Sequence, residues 1–278
     1  MYIWILLIGF IIIAITIIYI FFVYVTKNVF FLSLLTIILS AIFFLFYAYL
    51  IRNYFIFMNS VDVFLHNDKN NWVTFGKNLS GYYINNNKDN IVLYSHGNGK
   101  NLTWYLDQAY HLSKRSDVFL YDYPGYGISK GIPTEKSFLK SAEQAYDYVK
   151  TLKYKKIYCY GFSMGGVATR HIATTRDPHG IVLQSTFNKI SDCIPLVGNI
   201  IAGDCFNNVK SVKNIKCPVV VSHYVKDDVV PYKSSKTFYD EIKSRKVFYD
   251  LDKQHNEVIT DDNYYNNIIN HFIQQEKI

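Results

Sequence analysis

Ser163 stands between Gly161 and Gly165 in a G-x-S-x-G pattern, after the apolar run 156–160 and before a small-residue stretch from 166 to 173. That order predicts a strand, a sharp turn and a helix, with the serine hydroxyl held above the sheet on a strained backbone as a nucleophile elbow. The pattern alone is short enough to recur by chance. It gains meaning from an oxyanion loop upstream and an acid and a histidine downstream, each in the loop after a strand.

Upstream, the β-rich run 91–95 breaks at His96, Gly97, Asn98 and Gly99, where two glycines free the backbone to aim N–H groups at a ligand. A tetrahedral intermediate needs fixed donors where negative charge develops, and the expected pair is the Met164 N–H with one from Gly97 or Asn98. A plain turn is the alternative for 96–99. Downstream, the run 218–222 leads to Asp227 and Asp228, and the run 246–250 leads to His255. Asp227 is preferred as the acid because Val229 and Val230 are expected to resume packing, leaving Asp228 at the loop's edge; a solvated pair is the alternative. Eight histidines are present, and chain order selects His255: serine, acid, histidine. His255 would take the Ser163 proton as the serine attacks an acyl carbonyl, then return it to the leaving group. Asp227 would hold the imidazole tautomer, and water would release the acyl-enzyme. This scheme calls for no metal or organic cofactor, and no Cys or His cluster has zinc-ligand spacing.

With these residues in place, the chain from 91 onward resembles the α/β-hydrolase superfamily, in particular its cap-poor, membrane-tethered serine hydrolases. That branch includes protein depalmitoylases and monoacylglycerol or lysophospholipid lipases. Besides the elbow, the resemblance rests on Tyr94 to Asn98, on the tyrosine- and glycine-rich segment from Tyr121 to Gly127, and on Lys226 to Pro231. It implies hydrolysis of an ester or thioester, with Ser163, Asp227 and His255 as the triad. Two positions depart from the family: Tyr224 replaces a glycine after His223, and Gln254 replaces the glycine before the catalytic histidine. Side chains in tightly turning loops restrict the backbone, so a reduced rate on an intact fold is the expectation. The segment 122–131 carries no catalytic group and is expected only to turn the chain into a helix started by Pro133 and Thr134.

Weak strands near 72–75 and 81–84 read as antiparallel first strands. Alternation of later strands with helices at 104–113, 134–152, 165–175 and 261–274 then predicts an α/β-hydrolase fold. Its sheet is mostly parallel with helices on both faces, and the site lies at the strands' carboxyl ends. An insertion-like stretch, 186–209, reads either as a cap or acyl-chain wall over Ser163 or as an ordinary connecting helix.

Two apolar runs, 2–25 and 29–51, precede this domain, and each exceeds the roughly 20 residues that cross a hydrocarbon core. A signal peptide fits poorly: the first run is too long, no basic residue precedes it and no small-residue cleavage site follows. Two transmembrane helices at 1–53 are therefore expected ahead of a catalytic domain at 54–278, as a hairpin that puts Met1 and the domain on one side. Lys27 against Arg52 and the basic residues beyond it tilts the domain slightly toward the cytosol. Four cysteines and two sequons, at Asn78 and Asn101, do not decide the side. The net charge of +7 comes without a run of four basic residues, which argues against a nucleic-acid site. The expected partners are an acyl-ester or thioester substrate at the bilayer and the membrane lipids themselves. An amidase or peptidase, or a scaffold that has lost turnover, are the competing functions.

Overall fold

The computed structural model describes residues 2–23, 29–60, 69–193, 202, 205, 206 and 212–273. The chain divides into two units, Met1–Arg52 and Asn53–Ile278. In the first, α1 (Tyr2–Val23) and most of α2 (Val29–Ile56) are built from Ile, Leu and Phe. Both helices are apolar on all sides, as suits a lipid or a deeply buried setting. Among the described residues one stretch, Phe30–Ala48, is long and apolar enough to cross a membrane, while the apolar stretch Gly9–Phe22 is shorter. The expected hinge around Lys27 lies outside the described residues.

The second unit is an eight-stranded sheet in the order β1-β2-β4-β3-β5-β6-β7-β8. Its strands are β1 (Trp72–Phe75), β2 (Leu79–Ile84), β3 (Asn90–Ser95), β4 (Asp117–Tyr121), β5 (Lys156–Phe162), β6 (Gly180–Gln184), β7 (Val219–Tyr224) and β8 (Lys246–Leu251). The pairs β1–β2 and β2–β4 are antiparallel, and every other neighbour pair is parallel. The central strands are buried on both faces, which explains their unbroken apolar character. Alternate residues feed two cores: Leu93, Cys159 and Leu183 face one side, Tyr94, Tyr160 and Val182 the other.

Helices α4 (Glu135–Thr151), α5 (Gly165–Thr175) and α6 (Tyr232–Glu241) cover the first face through Phe138, Val167 and Phe238; α3 (Leu106–Ser113) and α7 (Asp262–Ile273) cover the second through Leu106 and Ile268. Thr134 starts α4 as expected, with a reciprocal capping box: its hydroxyl accepts from the Ser137 N–H at 3.1 Å while the Ser137 hydroxyl accepts from the Thr134 N–H at 2.9 Å. Of the candidate cap at 186–209, only 186–193, 202, 205 and 206 are described. The sequon residue Asn101 is fully buried and caps a short 3₁₀ turn through Thr103, so the folded domain offers no glycan acceptor there.

Candidate active site

Parallel strands end on one edge of the sheet, so the loops after β3, β4, β5, β7 and β8 converge there. One of these turns joins β5 to α5. Ser163 sits at its apex with φ +52°, a left-handed conformation costly for a side-chain-bearing residue. The turn holds because the Ser163 N–H bonds the Gln184 carbonyl at 2.9 Å and the Ser163 carbonyl accepts from Gly166 N–H at 3.0 Å. Glycine is required at 165: a Cβ there would stand 2.0 Å from the Ser95 carbonyl oxygen.

The structure brings the three residues expected from chain order into one line. His255 Nε2 is 3.1 Å from Ser163 Oγ, and His255 Nδ1 is 2.7 Å from Asp227 Oδ2. The imidazole rests against the Phe162 ring at 5.0 Å and is 5% exposed, sealed enough to keep water from competing for its hydrogen bonds. Asp227 is fixed from its other side as well, for its Oδ1 accepts from the N–H groups of Val229 at 3.0 Å and Val230 at 2.7 Å. A second histidine, His223, puts Nε2 3.4 Å from Asp227 Oδ2. Burial by itself would raise the Asp227 carboxyl, but His223, His255 and the Val230 N–H together hold it well below the usual carboxylate range. Asp228 is exposed, as expected. Val229 corrects the reasoning behind that choice: it is 45% exposed and only Val230 packs.

Gly97, Asn98 and Met164 line the same cavity as Ser163 and His255, a space of about 310 Å³ whose lining includes Phe187 and Ile190. The first described part of the 186–209 stretch is thus a cavity wall. Burial raises the Tyr105 phenol well above its ordinary value, opposed by a hydrogen bond from the Gly97 backbone.

At the two positions that depart from the family the backbone is not restricted as expected. Neither Tyr224 nor Gln254 has a positive φ, so neither position demands glycine. Tyr224 is the last residue of β7 and is 1% exposed; its hydroxyl accepts from Gln184 Nε2 and donates to the Glu257 carbonyl at 2.9 Å. Gln254 lies in a turn closed by Glu257, whose Oε1 accepts the Gln254 N–H at 2.7 Å while its own N–H bonds the Gln254 carbonyl at 3.1 Å. Tyr224 therefore ties the His255 loop to the sheet. Restoring glycine, Tyr224→Gly, is expected to cost about 4 kcal/mol, read as a fall of about 10 °C in melting temperature. A melting temperature at or above wild type would show the loop needs no such tie.

The segment 122–131 does more than turn the chain. Asp122 Oδ1 lies 3.2 Å from His96 Nε2 with both side chains fully buried, and the Tyr123 hydroxyl donates to the His96 carbonyl at 2.6 Å. These residues brace the 96–98 loop, a role that spacing along the chain does not reveal. They meet because β3 and β4 are parallel neighbours with Ser95 opposite Tyr121, so the loops leaving both strands emerge side by side.

A family model described as the alpha/beta hydrolase fold matches residues 90–268. The chain is 30% identical over 157 residues to the alpha/beta hydrolase domain-containing protein aho-3 of Caenorhabditis elegans, an alignment covering 54% of this chain and 47% of that protein. It is 26% identical over 157 residues to alpha/beta hydrolase domain-containing protein 17C of Homo sapiens, covering 54% of this chain and 47% of that one. The chain thus spans about half the length of the curated relatives it matches. Among solved structures, an esterase of Pyrococcus furiosus superposes with a TM-score of 0.63 at 18% identity, covering 78% of this chain and 97% of the esterase. At that identity the likeness is one of fold. With the family model spanning well over half of the sequence, the chain belongs to the α/β-hydrolase fold family.

Proposed function

We propose that this protein is a serine hydrolase that cleaves acyl esters or thioesters, with Ser163 as nucleophile, His255 as general base and Asp227 as the group that orients and balances the imidazole. The observation that carries the reading is the unbroken hydrogen-bonded line from Asp227 through His255 to Ser163 Oγ, at 2.7 and 3.1 Å, opening on a cavity with apolar walls. Deprotonated by His255, Ser163 attacks the acyl carbon; the oxyanion takes the backbone N–H groups of Met164 and Asn98. His255 then protonates the departing alkoxide or thiolate, and water repeats the sequence on the acyl-enzyme. No cofactor takes part in these steps.

The front of the chain supports a substrate presented at a bilayer. The apolar helical stretch Phe30–Ala48 supports anchoring in a bilayer, and with Gly9–Phe22 it supports a two-pass anchor at 1–53 ahead of the catalytic domain at 54–278. An anchored site meets lipid esters or S-acylated proteins at high local concentration, so selectivity need not come from a deep pocket. The scaffold alternative loses its main support once Tyr224 and Gln254 are seen to fit their loops. The test is exposure of the membrane-reconstituted protein to a fluorophosphonate probe, with the adduct mapped by mass spectrometry. Labelling at Ser163 is the expected result; a folded protein that stays unlabelled would refute the reading.

A further inference from the structure

The Ile56 carbonyl, at the last residue of α2, and the Met58 N–H both turn to one side chain. Asn98 Nδ2 donates to the Ile56 carbonyl at 2.7 Å, and Asn98 Oδ1 accepts from the Met58 N–H at 3.1 Å. The same Oδ1 accepts the Tyr126 hydroxyl at 2.6 Å. The stretch 56–60 is held at three more points, all within the second unit. Phe57 is 2% exposed, with Phe138 and Phe206 at ring-centroid distances of 6.0 and 5.7 Å. Asn59 Nδ2 donates to the Gly125 carbonyl at 2.7 Å, and the Ser60 carbonyl accepts the Gly127 N–H at 2.8 Å. These five residues form a strap across the loop 96–98 and the turn 122–127, and Ile56 and Met58 line the cavity beside Ser163.

We propose that this strap is a working part of the active site: Asn98 is a positioning residue whose side chain fixes its own backbone N–H for the oxyanion, and Met58 walls the acyl subsite. The proposal rests on the hydrolase reading above. Its physical basis is the softness of the loop. Asn98 lies between Gly97 and Gly99, and a side chain at 97 is barred because its Cβ would stand 2.8 Å from the Tyr105 hydroxyl. A Gly-flanked N–H wanders unless something else holds it. A planar amide that donates once and accepts twice has both its ends fixed, and fixing the amide limits the torsions that join it to the backbone. Aspartate at 98 would keep both acceptor contacts and set a carboxylate oxygen against the Ile56 carbonyl; alanine would lose all three bonds. Met58 is 58% exposed, and its flexible thioether chain suits a wall that must adapt to acyl groups of differing length.

The test uses the full chain in phosphatidylcholine nanodiscs, comparing wild type with Asn98→Ala, Asn98→Asp, Tyr126→Phe and Met58→Ala. Amide hydrogen exchange is followed at 56–60 and 96–99, and kcat and KM are measured on p-nitrophenyl esters from acetate to decanoate. In Asn98→Ala, exchange is expected to rise in both segments together. Its kcat is expected to fall about 100-fold, the scale of a lost oxyanion donor, with KM within about twofold. Asn98→Asp and Tyr126→Phe should fall between wild type and Asn98→Ala in both readouts, and Met58→Ala should shift KM across the ester series. Unchanged exchange in Asn98→Ala, or raised exchange with kcat near wild type, overturns the proposal. A wild-type protein that neither labels nor turns over defeats the hydrolase reading and the oxyanion role with it, and the exchange arm still decides whether the strap holds the loop.

Discussion

Ser163→Ala is expected to lower kcat on an acyl ester by about 10⁵- to 10⁶-fold, the scale seen when a triad nucleophile is removed. The size follows from geometry. Ser163 Oγ is the atom at the end of the line running through His255 to Asp227, and among the described residues no other hydroxyl bonds His255. His255→Ala is expected to cost nearly as much, and the double variant little more than either single one, because the residues act as one unit. What survives is the contribution of substrate binding and the oxyanion donors. The measurement is kcat by single-turnover kinetics in reconstituted membranes, with fluorophosphonate labelling in parallel. Turnover by Ser163→Ala within about 100-fold of wild type would exclude Ser163 as the nucleophile.

Asp227→Asn is expected to cost about 10⁴-fold in kcat, whereas Asp228→Asn should stay within about twofold. The asparagine keeps the shape but presents an amide to His255 Nδ1 at a position now 2.7 Å from a carboxylate oxygen, which favours the wrong tautomer. Asp228 is exposed, and among the described residues no histidine bonds it. The same substitution carries a pH signature. The folded-state pKa of Asp227 lies well below its unfolded value of about 3.9, so the unfolded chain binds the proton more readily. The stability from this ionised carboxylate is therefore fully present above about pH 4 and is lost as pH falls toward the folded value. Wild type should lose melting temperature through that acid window more steeply than Asp227→Asn. Equal slopes would mean the carboxylate is not held ionised by its histidines, and a larger loss from Asp228→Asn would reassign the acid.

Much of the site was legible along the chain because each of its parts is a local event. A glycine pair around Ser163 sets a turn, apolar runs set strands, and the order of strand ends places Asp227 and His255 in successive loops. The antiparallel start of the sheet and the capped start of α4 were readable for the same reason, whereas Asp227 was chosen over Asp228 partly on a packing of Val229 that the structure does not show. The apolar runs at the front were also readable, and by length and composition one of them qualifies as a membrane span.

Contacts between loops were not legible, since they depend on which strands are neighbours and in what register. Tyr224 looked like an obstacle in a tight loop until β7 was seen to extend through it and to send its hydroxyl to the His255 loop. The segment 122–131 looked like a bare turn until the β3–β4 pairing set Asp122 and Tyr123 against His96. The sequence by itself determined the fold family and the order in which Ser163, Asp227 and His255 follow their strands, because turn chemistry and hydrophobic runs are properties of neighbouring residues. Only the tertiary structure decided what holds the 96–98 loop, because the bonds from Asn98 to Ile56 and Met58 join residues about 40 positions apart that no local pattern connects.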